Sequence, residues 1–152
     1  MKTLSRAALS PHLTVADVQK SAKFYEAAFG FAPKMMMPGR GGRIMHGELV
    51  LDGIRLMLGP ESVDRGMQTP KSSGRVSPVS LYLSVGDVDR AHAKALAAGA
   101  QELLAPSEQF FGARTSMVMD PDGHQWMLSQ QKEELSADEL KAAVRPQPLA
   151  AR

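Results

Sequence analysis

No cysteine occurs in the 152 residues. That excludes a disulfide framework and thiolate chemistry, and it fits a reducing compartment. No run of five or six basic residues occurs either. The 18 lysines and arginines are scattered among 16 acidic residues, for a formal charge of +2, so there is no electrostatic footprint for nucleic acid. No segment is apolar over the length needed to span a bilayer. The opening MKTLSRAALS has too short an apolar run for a secretory signal. The expectation is a cytoplasmic protein with no nucleic-acid or membrane partner. Apolar residues at 43% and charged residues at 22% are ordinary for a soluble globular protein. The length suits one compact domain or two small halves sharing a core.

What is present is a repeat. SPHLTVAD, Ser10 to Asp17, returns seventy positions later in VSLYLSVGD, which ends at Asp87. Val18, Ala22, Tyr25 and Phe29 follow the first phrase on one stripe at helical spacing. Val88, His92, Ala95 and Leu96 follow the second in the same way. Asp17 and Asp87 are placed to cap these helices, where a carboxylate accepts free backbone N–H groups. Gly30 and Gly99 are placed to end them. Before each aspartate the residues alternate. Ser10, His12 and Thr14 oppose Pro11, Leu13 and Val15, and Ser80, Tyr82 and Ser84 oppose Leu81, Leu83 and Val85. APKMMM and AQELLAPSEQ are candidate second strands. HGELVLDGIRLMLGP lies over RTSMVMDPDGHQWMLSQ with a two-residue gap at the turn, and Asp52-Gly53 and DPDG mark hairpins.

The expected fold is α+β, with two tandem βαβββ modules at residues 9–59 and 79–131. Residues 60–78, rich in Pro, Gly and Ser, read as a partly mobile linker. Residues 132–152 hold a short helix, announced by the capping-box pair Ser136 and Glu139 with Leu135 and Leu140 at the staple positions, and then a disordered tail, PQPLAAR. One sheet with one helix covers only one face. A second copy supplies the other wall, and the space enclosed is a concave pocket. Alternation lines that pocket with Ser10, His12, His46, Glu48, Arg55, Met57, Ser80, Tyr82, Arg114, Gln125 and Met127.

A doubled βαβββ unit that opens on V-x-D and closes on DPDGH resembles the vicinal oxygen chelate superfamily: glyoxalase I, extradiol dioxygenases, fosfomycin-resistance enzymes and bleomycin-resistance proteins. GRIMHGELVLDG, EQFFGAR and DPDGHQW are similar to its PhnB-like branch. The resemblance covers residues 9–131 and implies the fold; the family's functions range from metal-dependent enzymes to drug-binding proteins. It also implies metal-ligand positions at the first and last strands of each module. These fall here on Ser10, Ser80, Met57 and Met127, which are poor ligands for Mg, Zn, Ni or Fe. By that pattern no metal and no cofactor is expected.

An alternative set exists. His12, His46 and Glu48 form a two-histidine-one-carboxylate group that could hold one divalent metal ion, although the sheet order the resemblance implies does not place the first strand beside the third. Without a metal, Glu48 or His46 could move a proton while Arg114 stabilises an anion, which makes these three the candidate catalytic residues. Arg114 aligns with His46, and its alternative role is a rim salt bridge to Glu108 or Asp120. His12, Tyr82, Arg55, Phe110, Phe111 and Gln125 are the candidate ligand-binding residues. Of the two phenylalanines, one is expected to stack on a planar ligand and one to fill a core gap. His92 and His124 read as structural. The function expected is binding of a small organic molecule, of the bleomycin-resistance type, by a homodimer. The alternative is an enzyme using the residues above.

Overall fold

The structure, a computed structural model, describes residues 8–144. Each half starts with a short strand that delivers an aspartate to the mouth of a helix. Strand β1 (His12–Val15) precedes helix α1 (Val18–Phe29), and strand β5 (Ser80–Ser84) precedes helix α3 (Val88–Ala98). Asp17 accepts from the backbone N–H of Lys20 at 2.9 Å, and Asp87 from that of Arg90 at 3.0 Å. Gly30 and Gly99 end the helices in the left-handed region, at φ 83° and 112°.

Three further strands complete each half: β2 (Ala32–Pro38), β3 (Ile44–Leu51) and β4 (Ile54–Pro60) in the first, and β6 (Gln101–Glu108), β7 (Ala113–Met119) and β8 (Gln125–Gln131) in the second. The sheet orders are β1-β4-β3-β2 and β5-β8-β7-β6, parallel only between β1 and β4 and between β5 and β8. This is an α+β fold of two four-stranded mixed sheets. A short C-terminal helix, α4 (Ala137–Ala143), follows, with the Ser136–Glu139 capping box closed. The tail PQPLAAR lies outside the described residues.

One hydrophobic core serves both halves. Val15, Leu49, Leu56 and Leu58 enter it from the first sheet, and Leu83, Val118, Trp126 and Leu128 from the second. Each such side chain contributes about 1.5–3 kcal/mol on full burial. Helices α1 and α3 lie against each other, each on its own sheet. The helix-bearing faces therefore look inward, and the other face of each sheet looks outward, away from its counterpart.

The two halves are tied by the DPDG turn, which does more than turn a hairpin. The Asp120 carboxylate, 3% exposed, accepts from Tyr25 Oη at 2.6 Å and Trp126 Nε1 at 3.0 Å. It also accepts the backbone N–H groups of Asp122 and His124, at 3.0 and 2.9 Å. Asp122 accepts from Ser21 Oγ at 2.8 Å and from the backbone N–H of Ala16 at 3.1 Å. His124 Nε2 lies 2.7 Å from the carbonyl of Thr14.

Burial and the adjacent Asp120 carboxylate push the Tyr25 phenol well above its ordinary value of 10.0. Because the folded value is the higher one, the neutral Tyr25 contributes stability at every pH below about 10. That contribution is lost as pH climbs through the folded value. Urea denaturation at rising pH should show this alkaline loss, and Tyr25→Phe should flatten it; an identical slope in the variant would refute the assignment.

The segment between the halves is more ordered than its composition suggests. The backbone of Ser62 exchanges both hydrogen bonds with that of Met67, closing a turn through a 3-10 segment at Val63–Arg65. A one-turn helix, α2 (Pro70–Ser73), follows, capped by Thr69. Glu61 accepts from Ser72 Oγ and, at 2.8 Å, from the backbone N–H of Thr69. The helix docks on the DPDG turn, where the N–H of Lys71 donates to the carbonyl of Asp122 at 3.0 Å.

Candidate functional site

The outer face of the first sheet gathers most of the polar residues singled out from sequence. Pairing places His12 beside Met57, and Met57 beside Glu48, in one row across β1, β4 and β3. In the next row, Gly59 pairs with Thr14. Gly59 has no side chain, and the His12 ring lies over it: a Cβ there would sit 3.0 Å from His12 Cε1. The ring can therefore cross β4 and stack on His46, with centroids 5.8 Å apart and planes 12° from parallel. His46 Nε2 lies 3.4 Å from Glu48 Oε1, and Arg55 Nη1 is 4.0 Å from the same oxygen. Arg55 Nε donates to Ser10 Oγ at 3.3 Å. His12, His46, Glu48, Arg55 and Ser10 thus form one contiguous group. His46 and Glu48 are half-buried, and His12 is exposed.

Among the described residues, no three His, Cys, Asp or Glu side chains are arranged to hold a metal. Met57 lies between His12 and Glu48 on the outer face, Met127 pairs with Tyr82, and Ser80 pairs with Gln125.

Tyr82 and Gln125 stand on the outer face of the second sheet. Tyr82 is 58% exposed, and its hydroxyl donates to Ser129 Oγ at 2.5 Å. Gln125 lines a cavity of about 560 Å³ between that face and the α2 segment, shared with Met119, Pro70, Arg75 and Val76. Phe110 and Phe111 form an edge-to-face pair at the β6–β7 turn, 5.4 Å between centroids, with Phe110 exposed and Phe111 half-buried. Within one chain, these second-sheet residues do not face His12 and His46.

Arg114 corrects the expectation of a pocket-facing side chain and bears out its alternative, a salt bridge to Glu108. It pairs with Gln130 and lies on the helix side of the second sheet. There it forms a two-pronged bond to Asp89 of α3, at 2.8 and 2.9 Å, and a weaker one to Glu108 at 3.3 Å. The hydrogen bond from Arg114 holds Asp89 below the usual carboxylate range. The strand counterpart of His46 is Thr115: Met57 pairs with Glu48, while Met127 pairs with Met117, one residue off the expected alignment. A one-residue slip exchanges the faces of a strand. His92 and His124 hold structural positions. His92 is buried with Nε2 2.7 Å from Glu102, and His124 meets the backbone of β1.

Three residues escaped the sequence reading. Gly59 was legible only as a lone glycine inside a strand, a mark of close approach. Arg43 and Arg65 join His12 around a second cavity of about 480 Å³ at the end of the first sheet. No spacing in the sequence links them.

Residues 4–128 match the model of the Glyoxalase/Bleomycin resistance protein/Dioxygenase superfamily. The chain belongs to that superfamily. An uncharacterized protein of Mycobacterium bovis is 38% identical over 143 residues, 92% of this chain and 93% of the relative. An uncharacterized protein of Mycobacterium tuberculosis is equally similar, with 84% of its length covered. Among solved structures, a gene product of Arabidopsis thaliana superposes with a TM-score of 0.65 at 26% identity, over 82% of this chain and 99% of that one. TioX from Micromonospora shares the fold, with a TM-score of 0.64 at 22% identity over 83% and 99%. The superfamily assignment matches the resemblance carried by DPDGH and the repeated helix starts.

Proposed function

We propose that this superfamily member binds a small organic molecule on the outer face of its first sheet, in the manner of the bleomycin-resistance proteins and without a metal or other cofactor. The observation that carries this is the group at Gly59: two stacked imidazoles, a half-buried carboxylate and a guanidinium converging on one wall. The second wall comes from another copy. Each outer face leaves large apolar side chains uncovered, Met37 at 50% and Tyr82 at 58% among them. Laying the first sheet of one chain over the second sheet of its partner would cover both, close two equivalent pockets, and bring Tyr82 and Gln125 to His12 and His46. The protein would then be a homodimer. The likeness of GRIMHGELVLDG and EQFFGAR supports the PhnB-like branch. No described helix is long and apolar enough to cross a membrane; a cytoplasmic location agrees with the absence of cysteine.

Native mass spectrometry of the protein as isolated should find a dimer that retains a small molecule. A monomer without adduct, unresponsive in thermal-shift screens, would overturn the proposal. Paired His46→Ala and Glu48→Ala changes should weaken binding at least about tenfold, the effect of losing roughly 1.4 kcal/mol of hydrogen bonding. Arg114→Ala, on the far side of the second sheet, should leave it unchanged. A second function, proton transfer, draws its support from His46 and Glu48 lying side by side, Nε2 3.4 Å from Oε1. Lost turnover with unchanged affinity in the paired variant would select catalysis over simple binding.

A further inference from the structure

We propose that the cavity beside His12 is an oxyanion subsite, built to take the carboxylate, phosphate or phosphonate group of a small molecule. The cavity opens to about 480 Å³ where the first sheet ends. Arg43 reaches it from the turn before β3 and Arg65 from the 3-10 turn after β4. Among the described residues, neither guanidinium forms an ion pair with a carboxylate. Two arginines so placed can offer paired N–H donors to one oxyanion.

Both arginines are carried on closed turns. The N–H of Gly39 donates to the carbonyl of Arg43 at 2.7 Å, and the bonds between Ser62 and Met67, 2.8 and 2.9 Å, close the turn bearing Arg65. Glu61 is the acidic residue in the lining. Its carboxylate is already engaged by Ser72 Oγ and the N–H of Thr69, and these bonds, with a smaller contribution from Arg43, hold it below the usual carboxylate range. Two guanidiniums against one carboxylate leave the lining one positive charge in excess before His12 is counted. Met45 and Met67 supply apolar contact. Because Gly59 and His12 belong to this lining as well as to the sheet face, an anion held here would present the rest of its molecule to His46 and Glu48. In placing that organic remainder the subsite rests on the proposed function; in binding the anion it does not.

The test is a titration of the full-length protein with inorganic phosphate at constant ionic strength, followed by backbone and side-chain nitrogen NMR. Saturable shifts centred on Arg43, Arg65 and the His12 ring are expected. Arg43→Gln and Arg65→Gln should each weaken binding about fivefold, and the double variant should abolish it. Both positions are exposed, and unchanged spectral dispersion would show the variants folded. Shifts that stay linear, or that survive the double variant, overturn the subsite. Acetate in a parallel titration separates the sources: saturation by either ion, lost in the double variant, supports the subsite and tells phosphoryl from carboxylate. A panel of neutral and anionic organic compounds separates the two proposals. Anionic compounds that bind at His46 and Glu48 with affinities indifferent to the double variant, together with no saturable phosphate shift, sink the subsite and keep the binding face. Saturable phosphate with no organic compound binding more tightly sinks the face and keeps the subsite.

Discussion

Replacing Asp120 by alanine is expected to destabilise the protein by about 3–5 kcal/mol, a fall in Tm on the order of 10 °C for a chain of this size. The carboxylate is buried and meets four donors, two on side chains and two on the backbone of its own turn. Alanine removes the acceptor and leaves the donors behind. The Tyr25 hydroxyl and the Trp126 indole N–H, on buried side chains packed with Phe29 and Phe31, then lose their acceptor. Each unsatisfied buried group costs about 1–3 kcal/mol, so two of them alone account for most of the loss. Asp120→Asn keeps the volume and one acceptor oxygen, and its effect should fall between wild type and alanine. The denaturation midpoint should drop with little change in slope, since the surface exposed on unfolding is nearly the same. A loss below about 1 kcal/mol would mean that the Asp120 hydrogen bonds contribute little to joining the modules.

The same residue shows where sequence stops being informative. Both helices, their aspartate and glycine caps, the strand alternation and the Ser136 capping box follow from neighbours within a few positions, and each was legible. DPDG was legible as a turn for the same reason. Its larger role depends on Tyr25 and Ser21, about a hundred residues away, and no local pattern announces such partners. The site divides along the same line. Alternation assigns the faces of β1 and β3 and so groups His12, His46 and Glu48. That the two imidazoles meet depends on a glycine at the point where the His12 ring crosses the strand between theirs, and alternation does not mark that crossing. Arg114 failed for a subtler reason. Counting two extra residues at the second hairpin, where the pairing has one, moved it to the wrong face. Parity is unforgiving: one residue of error turned a surface ion pair with Asp89 into an imagined pocket wall.

Gly123→Ala should cost about 2–3 kcal/mol and release helix α2 from the body of the protein. Gly123 closes the DPDG turn at φ 94°, in the left-handed region. A side chain there is strained by about 1–2 kcal/mol whatever surrounds it. The surroundings are also full: a Cβ would lie 2.9 Å from the backbone nitrogen of Lys71 and 3.0 Å from Pro70 Cβ. These belong to the docked helix, and a backbone atom cannot rotate aside as a side chain can. The helix must lift, and the bond from Lys71 to the Asp122 carbonyl must lengthen or break. Gly74→Ala is the matched control. Its φ is 67°, also left-handed, but a Cβ there would meet nothing within 4 Å. The control carries the strain without the clash. Faster amide exchange at Lys71 and new proteolytic cleavage across residues 66–78 should therefore appear in Gly123→Ala and not in Gly74→Ala. Equal behaviour of the two variants would mean that the docked helix contributes nothing, and that the 560 Å³ cavity it walls is not a fixed feature of the fold. The contrast also bears on Arg65. Glu61 ties the α2 segment to the turn that holds this arginine, so lifting the helix removes one constraint on the guanidinium. Weaker phosphate binding in Gly123→Ala, with both arginines intact, would show that the order of the connecting segment is part of what builds the subsite.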